Sequence, residues 1–126
     1  MLGHIQNIEQ KAKENTFFRQ VLETGEKTQI VIMSIKPGTD IGMETHPDND
    51  QVLYLVEGEG KVILNGQEES FKKGDVVLVR AGTEHNFVTV GESPMKIITT
   101  YSPPHHPDGT VHKTKEEAEA DESDHY

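Results

Sequence analysis

The sequence predicts an all-β protein, and three observations support that prediction. Short strand-like segments recur about nine times between residues 17 and 101, each bounded by turn residues. Asn65-Gly66, the strongest two-residue hairpin signal, lies between two of these segments. Glycine and proline punctuate the remaining connections. Short strands at this spacing favour a sandwich or a barrel over alternating strands and helices.

The individual elements follow from the local patterns. A short helix is expected at residues 5–15, because Ile5, Ile8 and Ala12 share one helical face. Period-two patterning and turn residues then predict strands at residues 17–24, 28–35, 41–46, 51–57, 61–64, 67–71, 76–80, 85–90 and 95–101.

Composition divides the chain into three segments. Residues 1–16 form an N-terminal segment that can include the short helix, residues 17–101 hold the β-barrel, and residues 102–126 form a C-terminal tail. The tail is rich in histidine and proline and then becomes acidic. We expect its first part to lie extended against the barrel and its end, from about Lys115, to be frayed or a short acidic helix.

Size and charge exclude several classes of function. The chain has 126 residues, enough for one domain, and its net charge is −10. Such an acidic chain is expected to bind nucleic acid or an anionic membrane poorly, because that binding depends on lysine and arginine. It has no cysteine, its N-terminus lacks an apolar signal-peptide stretch, and no apolar run is long enough to span a bilayer. We therefore expect a cytoplasmic protein.

Two histidines and a carboxylate are placed where a metal site could form. Glu44 and His46 are two residues apart, so in a strand their side chains point to the same face. Two imidazoles and one carboxylate, completed by His85, match a ligand set that leaves open positions on a metal, and Gln51 would add a neutral oxygen. A Glu-x-His pair also occurs by chance on exposed strands, so the fold must bring Gln51 and His85 to it.

The spacing of these residues resembles the two motifs of the cupin superfamily. The first motif corresponds to Gly38, Glu44, His46, Gln51 and Gly58, and the second to Gly74, Gly82 and His85, with 15 residues between the motifs. The segment ETHPDNDQ and the tail YSPPHHPDGTVHKTK are similar to a group of small bacterial cupins labelled mannose-6-phosphate isomerase-like. The resemblance implies a double-stranded β-helix barrel, or jelly roll.

The same resemblance implies one divalent metal ion held by Glu44, His46, Gln51 and His85. This chain departs from the family pattern at two of those positions, because Glu44 replaces a histidine and Gln51 replaces a glutamate. The exchange relocates the single carboxylate and retains four oxygen or nitrogen donors. Zinc, iron, manganese and nickel all suit such ligands. Cupins commonly pair through sheet edges, which implies a homodimer.

Other residues are candidates for the substrate pocket and for proton transfer. By strand alternation Leu53, Leu55 and Phe87 face the cavity, whereas Tyr54 faces away from the metal. Glu44 or the tail histidine His106 could act as the general base. The tail histidines 105, 106 and 112 could form a lid or add ligands, although we expect solvent-exposed loop residues, and His4 and His125 are expected to be uninvolved.

Three functions fit this sequence. The first is a metal-dependent enzyme acting on a small organic substrate, sugar-like or carbonyl/enediol-like, by isomerase, oxygenase or lyase chemistry. The second is a non-catalytic barrel that binds a sugar or another small ligand, with a structural or absent metal. The third, an interaction protein acting through its acidic tail, has only the charge run to support it. The enzyme is the favoured hypothesis.

Overall fold

Strands dominate the computed structural model, which describes residues 3–124. The all-β prediction is confirmed, and none of the helices formed by those residues is long and apolar enough to cross a bilayer. In chain order the elements are α1 (Ile8–Glu14), β1 (Arg19–Thr24), β2 (Gln29–Ile35), β3 (Asp50–Glu57), β4 (Glu59–Leu64), β5 (Gln67–Lys72), β6 (Val76–Val79), β7 (His85–Thr89), β8 (Met95–Ser102), β9 (Val111–His112) and α2 (Lys115–Ala120).

Two antiparallel sheets form the barrel. The larger has the strand order β6-β3-β8-β2-β1-β9, and the smaller has the order β5-β4-β7. Their inner faces enclose the main core, to which the large sheet contributes Met33 and Leu53 and the small sheet contributes Phe71 and Phe87. Burying each such side chain stabilises the fold by roughly 1.5–3 kcal/mol relative to exposure. The core therefore holds the two sheets together.

A second, smaller cluster lies between helix α1 and the outer face of the large sheet. Ala12 of the helix packs there with Ile32 of β2 and Val56 of β3, all three buried. Tyr54 packs beside them, and its hydroxyl donates a hydrogen bond to Glu9 Oε2 at 3.2 Å. Tyr54 thus faces away from the barrel interior, as strand alternation predicts.

The β4–β5 hairpin forms at the predicted turn. Leu64 pairs with Gln67, so Asn65 and Gly66 are the two loop residues. Their φ angles are 48° and 84°, the positive values that a type I′ turn requires at both positions. Only residues that tolerate positive φ fit here, which is why this turn is readable from the sequence.

The strand predicted at residues 41–46 does not form. Only isolated bridges link this segment to β7, at Asp40–Val88 and Glu44–His85. Gly42 has a φ of 114°, and its N–H donates to the Asn86 side chain at 2.9 Å, which interrupts the extended backbone between the two bridges. The segment is therefore a loop held to strand β7 by two bridges and by the Gly42 hydrogen bond between them.

The C-terminal tail folds onto the barrel more fully than an extended segment would. Strand β9 pairs with β1, and helix α2 follows it. Thr114 caps this helix, since its Oγ1 accepts a hydrogen bond from the Glu117 N–H at 3.1 Å. The short acidic helix expected beyond Lys115 is thus present, while His125 lies outside the described residues.

Candidate metal centre

Glu44 and His85 are held side by side by their backbones. Each N–H donates to the other residue's carbonyl at 2.9 Å, the narrow pair of an antiparallel bridge. Directly opposed residues of such a pair place their side chains on the same face. His46 follows two residues later, with its Nε2 atom 3.9 Å from Glu44 Oε2.

The His85 ring is oriented by the loop that precedes it. Its Nδ1 donates a hydrogen bond to the Thr83 carbonyl oxygen at 2.9 Å. A neutral imidazole that donates from Nδ1 keeps its lone pair on Nε2, which is the arrangement common among metal-binding histidines. The rings of His46 and His85 have centroids 5.1 Å apart. The loop therefore presents His85 Nε2 in a form that can bind a metal.

Gln51 contributes a buried carbonyl oxygen to the same end of the barrel. It lies opposite Tyr101 in the sheet, and the Tyr101 ring is 5.8 Å from that of His46. The Gln51 Nε2 group donates to Thr99 Oγ1 at 3.1 Å, which fixes the amide orientation. Its Oε1 is buried and has no hydrogen-bond partner within residues 3–124. An orphaned acceptor of this kind suits a metal ligand.

Burial favours the neutral forms of His46 and His105. Removal from water, together with the neighbouring rings of His105 and His85, lowers the pKa of His46 to about 3. Burial lowers the pKa of His105 to about 4 and raises that of Tyr101. Neutral imidazoles retain the lone pairs that metals bind. The donor set therefore fits a divalent metal ion.

The expectation that the tail histidines are solvent-exposed loop residues is wrong. His106 and His112 are buried and His105 is half-buried, because β9 and α2 close the tail over the barrel. The His105 ring lies 4.4 Å from that of His46 and stacks on Tyr101. His106, predicted as a general base, instead bonds through Nδ1 to Asp124 Oδ2 at 2.7 Å. Of these two histidines, His105 is the one in contact with His46.

Comparison with known proteins identifies the family. Residues 31–101, more than half of the chain, match the cupin domain model. This chain belongs to the cupin family. The narrower likeness to mannose-6-phosphate isomerase-like cupins stays a prediction.

Similar proteins include one of known structure. The cupin is 42% identical to BH2720 of Bacillus halodurans, whose crystal structure superposes with a TM-score of 0.92 over 94% of both chains. It is 40% identical over 122 residues to YrkC of Bacillus subtilis, covering 92% of this chain and 66% of that one. A Thermotoga maritima protein named oxalate-binding protein is 27% identical over 66 residues, about half of each chain.

A cavity of about 390 Å³ opens beside the Glu44 side chain of the cupin. Its lining is not the predicted one, since Leu53, Leu55 and Phe87 are fully buried in the main core. These three side chains point into the barrel, as alternation predicts. The barrel interior around them is filled by other side chains, for example Phe71, whose ring centroid lies 5.3 Å from that of Phe87. The cavity is lined instead by Phe18, Arg19, Ile41, Gly42, Met43, Glu44, Lys115, Ala118, Glu119 and Asp124.

A second group of potential ligands in the cupin comes from the tail, and the sequence reading missed it. Ligand atoms of His112, Asp121 and Asp124 all lie within 4.8 Å of one another. Within residues 3–124 this is the group of His, Asp and Glu side chains whose ligand atoms are this close together. The ligand atoms of Glu44, His46 and His85 are therefore farther apart than 4.8 Å in at least one pair. His112 is engaged on both nitrogens, accepting from Arg19 Nη1 at 3.1 Å and donating to Asp121 Oδ2 at 2.9 Å.

This second group is better explained as a hydrogen-bonded link between the tail and the barrel. His112 is donor and acceptor at once, and the Arg19 cation beside it disfavours a metal ion. No local signal could have revealed the link, because Arg19 and His112 are 93 residues apart in the chain. The cupin thus has one donor set that fits a metal and one that fastens its C-terminal tail.

Proposed function

We propose that this cupin is a metal-dependent enzyme acting on a small organic substrate, sugar-like or carbonyl/enediol-like, by isomerase, oxygenase or lyase chemistry. The observation that carries the proposal is the Gln51 Oε1 atom, which is buried and lacks a hydrogen-bond partner within the described residues. Leaving such an acceptor unsatisfied costs about 1–3 kcal/mol. A metal ion beside the two imidazoles would satisfy it.

Glu44, His46, Gln51 and His85 are the residues that would hold the ion. A bound divalent ion supplies Lewis-acid polarisation of a substrate oxygen at its open positions. Zinc, iron, manganese and nickel remain the candidate metals. The Thr83 carbonyl and the Thr99 hydroxyl support this role, since they orient the His85 ring and the Gln51 amide.

Proton transfer is proposed for Glu44. Its side chain is 15% exposed, against 3% for His46, and it lines the cavity in which a substrate would lie. A carboxylate at the boundary between ligand set and cavity can accept a proton from a bound hydroxyl or carbon acid. His106 remains the second candidate, although its Nδ1 is engaged by Asp124.

The alternative is a binding cupin that holds a small ligand without chemistry. The neutral Gln51 amide supports it, since an amide is a weaker metal ligand than a carboxylate. So does the similarity to a Thermotoga maritima protein named for oxalate binding, at 27% identity over 66 residues. A structural metal would have a closed coordination shell, whereas a catalytic one keeps an open position.

Metal content tests the proposal directly. Untagged wild-type protein, a His46→Ala/His85→Ala double variant and a His4→Ala control would be analysed by mass spectrometry. His4 is exposed, so its loss should leave the metal unchanged. We expect near-stoichiometric metal in the wild type and the control and its loss in the double variant. Wild-type metal no higher than that of the double variant, after incubation with iron, manganese, zinc and nickel, would overturn the proposal.

Water relaxation separates the enzyme from the binding module. In the manganese-loaded protein, an open position that exchanges water raises the relaxation rate of solvent protons. We expect that enhancement in the wild type. A closed shell, seen as bound manganese without enhancement, would favour the binding alternative.

A further inference from the structure

Arg19 is a buried cation that forms no salt bridge within 4.0 Å in the described part of the chain, although its charge attracts that of Asp124. It lies at the start of β1 and is 4% exposed. Within residues 3–124 no carboxylate oxygen lies within 4.0 Å of its guanidinium nitrogens, and its Nε has no hydrogen-bond acceptor. Its side chain donates from Nη1 to His112 Nδ1 at 3.1 Å and also hydrogen-bonds the Tyr101 side chain, and both of these partners are uncharged.

Two acidic side chains of the tail near Arg19 accept hydrogen bonds from histidines rather than from its guanidinium. Asp121 accepts from His112 at 2.9 Å, and Asp124 accepts from His106 at 2.7 Å. A guanidinium carries five N–H donors in a planar fork that matches a carboxylate. Buried charges in proteins are generally paired. Arg19 thus keeps an N–H donor, Nε, that has no acceptor in the described residues. A bound anion would accept a hydrogen bond from it and balance the positive charge.

Arg19 also lines the cavity that reaches Glu44, one of the four proposed metal ligands. The cavity of about 390 Å³ has Arg19 and Glu44 in its wall, and its volume suits a small organic molecule. Lys115, the other cation in the lining, is already paired with Asp40 at 2.5 Å. Arg19 is therefore the cation in this wall that is available to select a ligand by charge.

We propose that Arg19 binds a carboxylate of the substrate, which makes the substrate class a small organic acid with a further hydroxyl or carbonyl oxygen directed at the metal ligands. This inference rests on the proposed function and names its substrate class. The carboxylates of Glu119 and Asp124 also line the cavity, so a monocarboxylate is favoured over a dicarboxylate. Phe18, whose ring lies 5.1 Å from the guanidinium carbon, provides an apolar surface beside the subsite.

Calorimetric titration of the metal-loaded protein tests the charge preference. The probes are pyruvate and lactate, each matched with its neutral amide of the same shape. We expect the wild type to bind the acids at least tenfold more tightly than the amides. Arg19→Gln should reduce that preference to below threefold, Arg19→Lys should retain part of it, and Arg80→Gln, at the exposed arginine outside the cavity, should leave it intact. Equal affinity for acid and amide, no saturable binding of either acid, or a preference that survives Arg19→Gln would overturn the proposal.

Nuclear magnetic resonance of the unmutated chain covers the case in which Arg19 variants fail to fold. The sequence has two arginines, Arg19 and the exposed Arg80, so nitrogen-15 labelling of arginine provides its own control. Lactate should shift the Arg19 Nε–H signal in saturable fashion and leave that of Arg80 unchanged, whereas pyruvamide should shift neither. An unmoved Arg19 signal would overturn the proposal.

The two experiments separate this inference from the function on which it rests. If mass spectrometry finds metal but lactate does not shift the Arg19 signal, the carboxylate subsite is disproved while the metal-dependent function is retained. If no metal is found and the Arg19 signal still shifts with lactate, the metal-dependent function fails and the carboxylate subsite stands.

Discussion

Gln51 occupies a position where the cupin motif has a carboxylate, and Glu44 occupies a position where it has an imidazole. The exchange moves the negative charge from β3 to the loop before it, at the wall of the cavity. A neutral amide at Gln51 draws a cation less strongly than a carboxylate would. At the scale of single residues, we therefore expect weaker metal binding than with a carboxylate at position 51, together with a carboxylate placed beside the cavity.

Restoring the carboxylate should strengthen metal binding. Gln51→Glu adds a negative charge among neutral imidazoles, and the Thr99 hydroxyl, 3.1 Å from the present amide, can donate to it. We expect the Kd for manganese to fall by about tenfold or more, and Gln51→Ala to raise it by a similar factor. Competition with a fluorescent chelator measures both.

The control for this prediction adds the same charge elsewhere. Gln67→Glu lies at the exposed start of β5, where solvent and salt screen it. If Gln51→Glu tightened manganese binding no more than Gln67→Glu does, Gln51 would not be a metal ligand.

At the scale of secondary-structure elements, Gly58 forms the connection between the two sheets. It lies between β3 of the large sheet and β4 of the small one, with a φ of 96°. A Cβ atom there would collide with the carbonyl oxygen of Pro94 and lie 2.9 Å from Met95 Cα, which are backbone atoms that cannot turn away. The motif glycine is thus required by a tight crossing between sheets as well as by its backbone angle.

Two glycine variants separate these requirements. Gly66 in the β4–β5 turn also has positive φ, at 84°, but a Cβ there meets nothing within 4 Å. Gly66→Ala should lower the free energy of unfolding by about 1–2 kcal/mol through backbone strain alone. Gly58→Ala should lower it by a further ~1–3 kcal/mol because of overpacking. Denaturant unfolding compares them, and equal losses would contradict the role of the crossing.

At the scale of the whole molecule, strand β6 leaves an apolar edge on the large sheet. Val76 and Leu78 alternate outward along it and are 63% and 50% exposed. Unprotected edges with apolar side chains readily pair with another chain. We propose that the expected homodimer forms through this edge.

Charges on the edge strand should therefore dissociate the dimer. Val76→Lys/Leu78→Lys places two cations where the partner would pack, whereas Val90→Lys, at another exposed apolar position, serves as the control. Sedimentation equilibrium should show a dimer for the wild type and the control and a monomer for the double variant. A wild type that is monomeric throughout, or a dimeric double variant, would contradict the assignment.

Local signals explain which parts of the fold were predictable. The Asn65-Gly66 turn and the alternation in β3 depend on near neighbours, so the hairpin and the orientation of Tyr54 follow from the sequence. The strand predicted at residues 41–46 failed because Gly42 takes a φ of 114° and bonds to Asn86, 44 residues away. Leu53, Leu55 and Phe87 do not line the cavity beside Glu44, since alternation says which face is inward but not how deeply it is filled.

The sequence by itself determined the β architecture and the identity of the four residues proposed to hold a metal, because turn residues and motif spacing are written within short stretches of chain. Only the tertiary structure decided which tail histidine lies against His46 and that Arg19 faces the cavity. Both depend on β9 pairing with β1, a contact between segments 93 residues apart. Such packing reflects the summed burial and hydrogen bonding of the whole barrel, which no local pattern encodes.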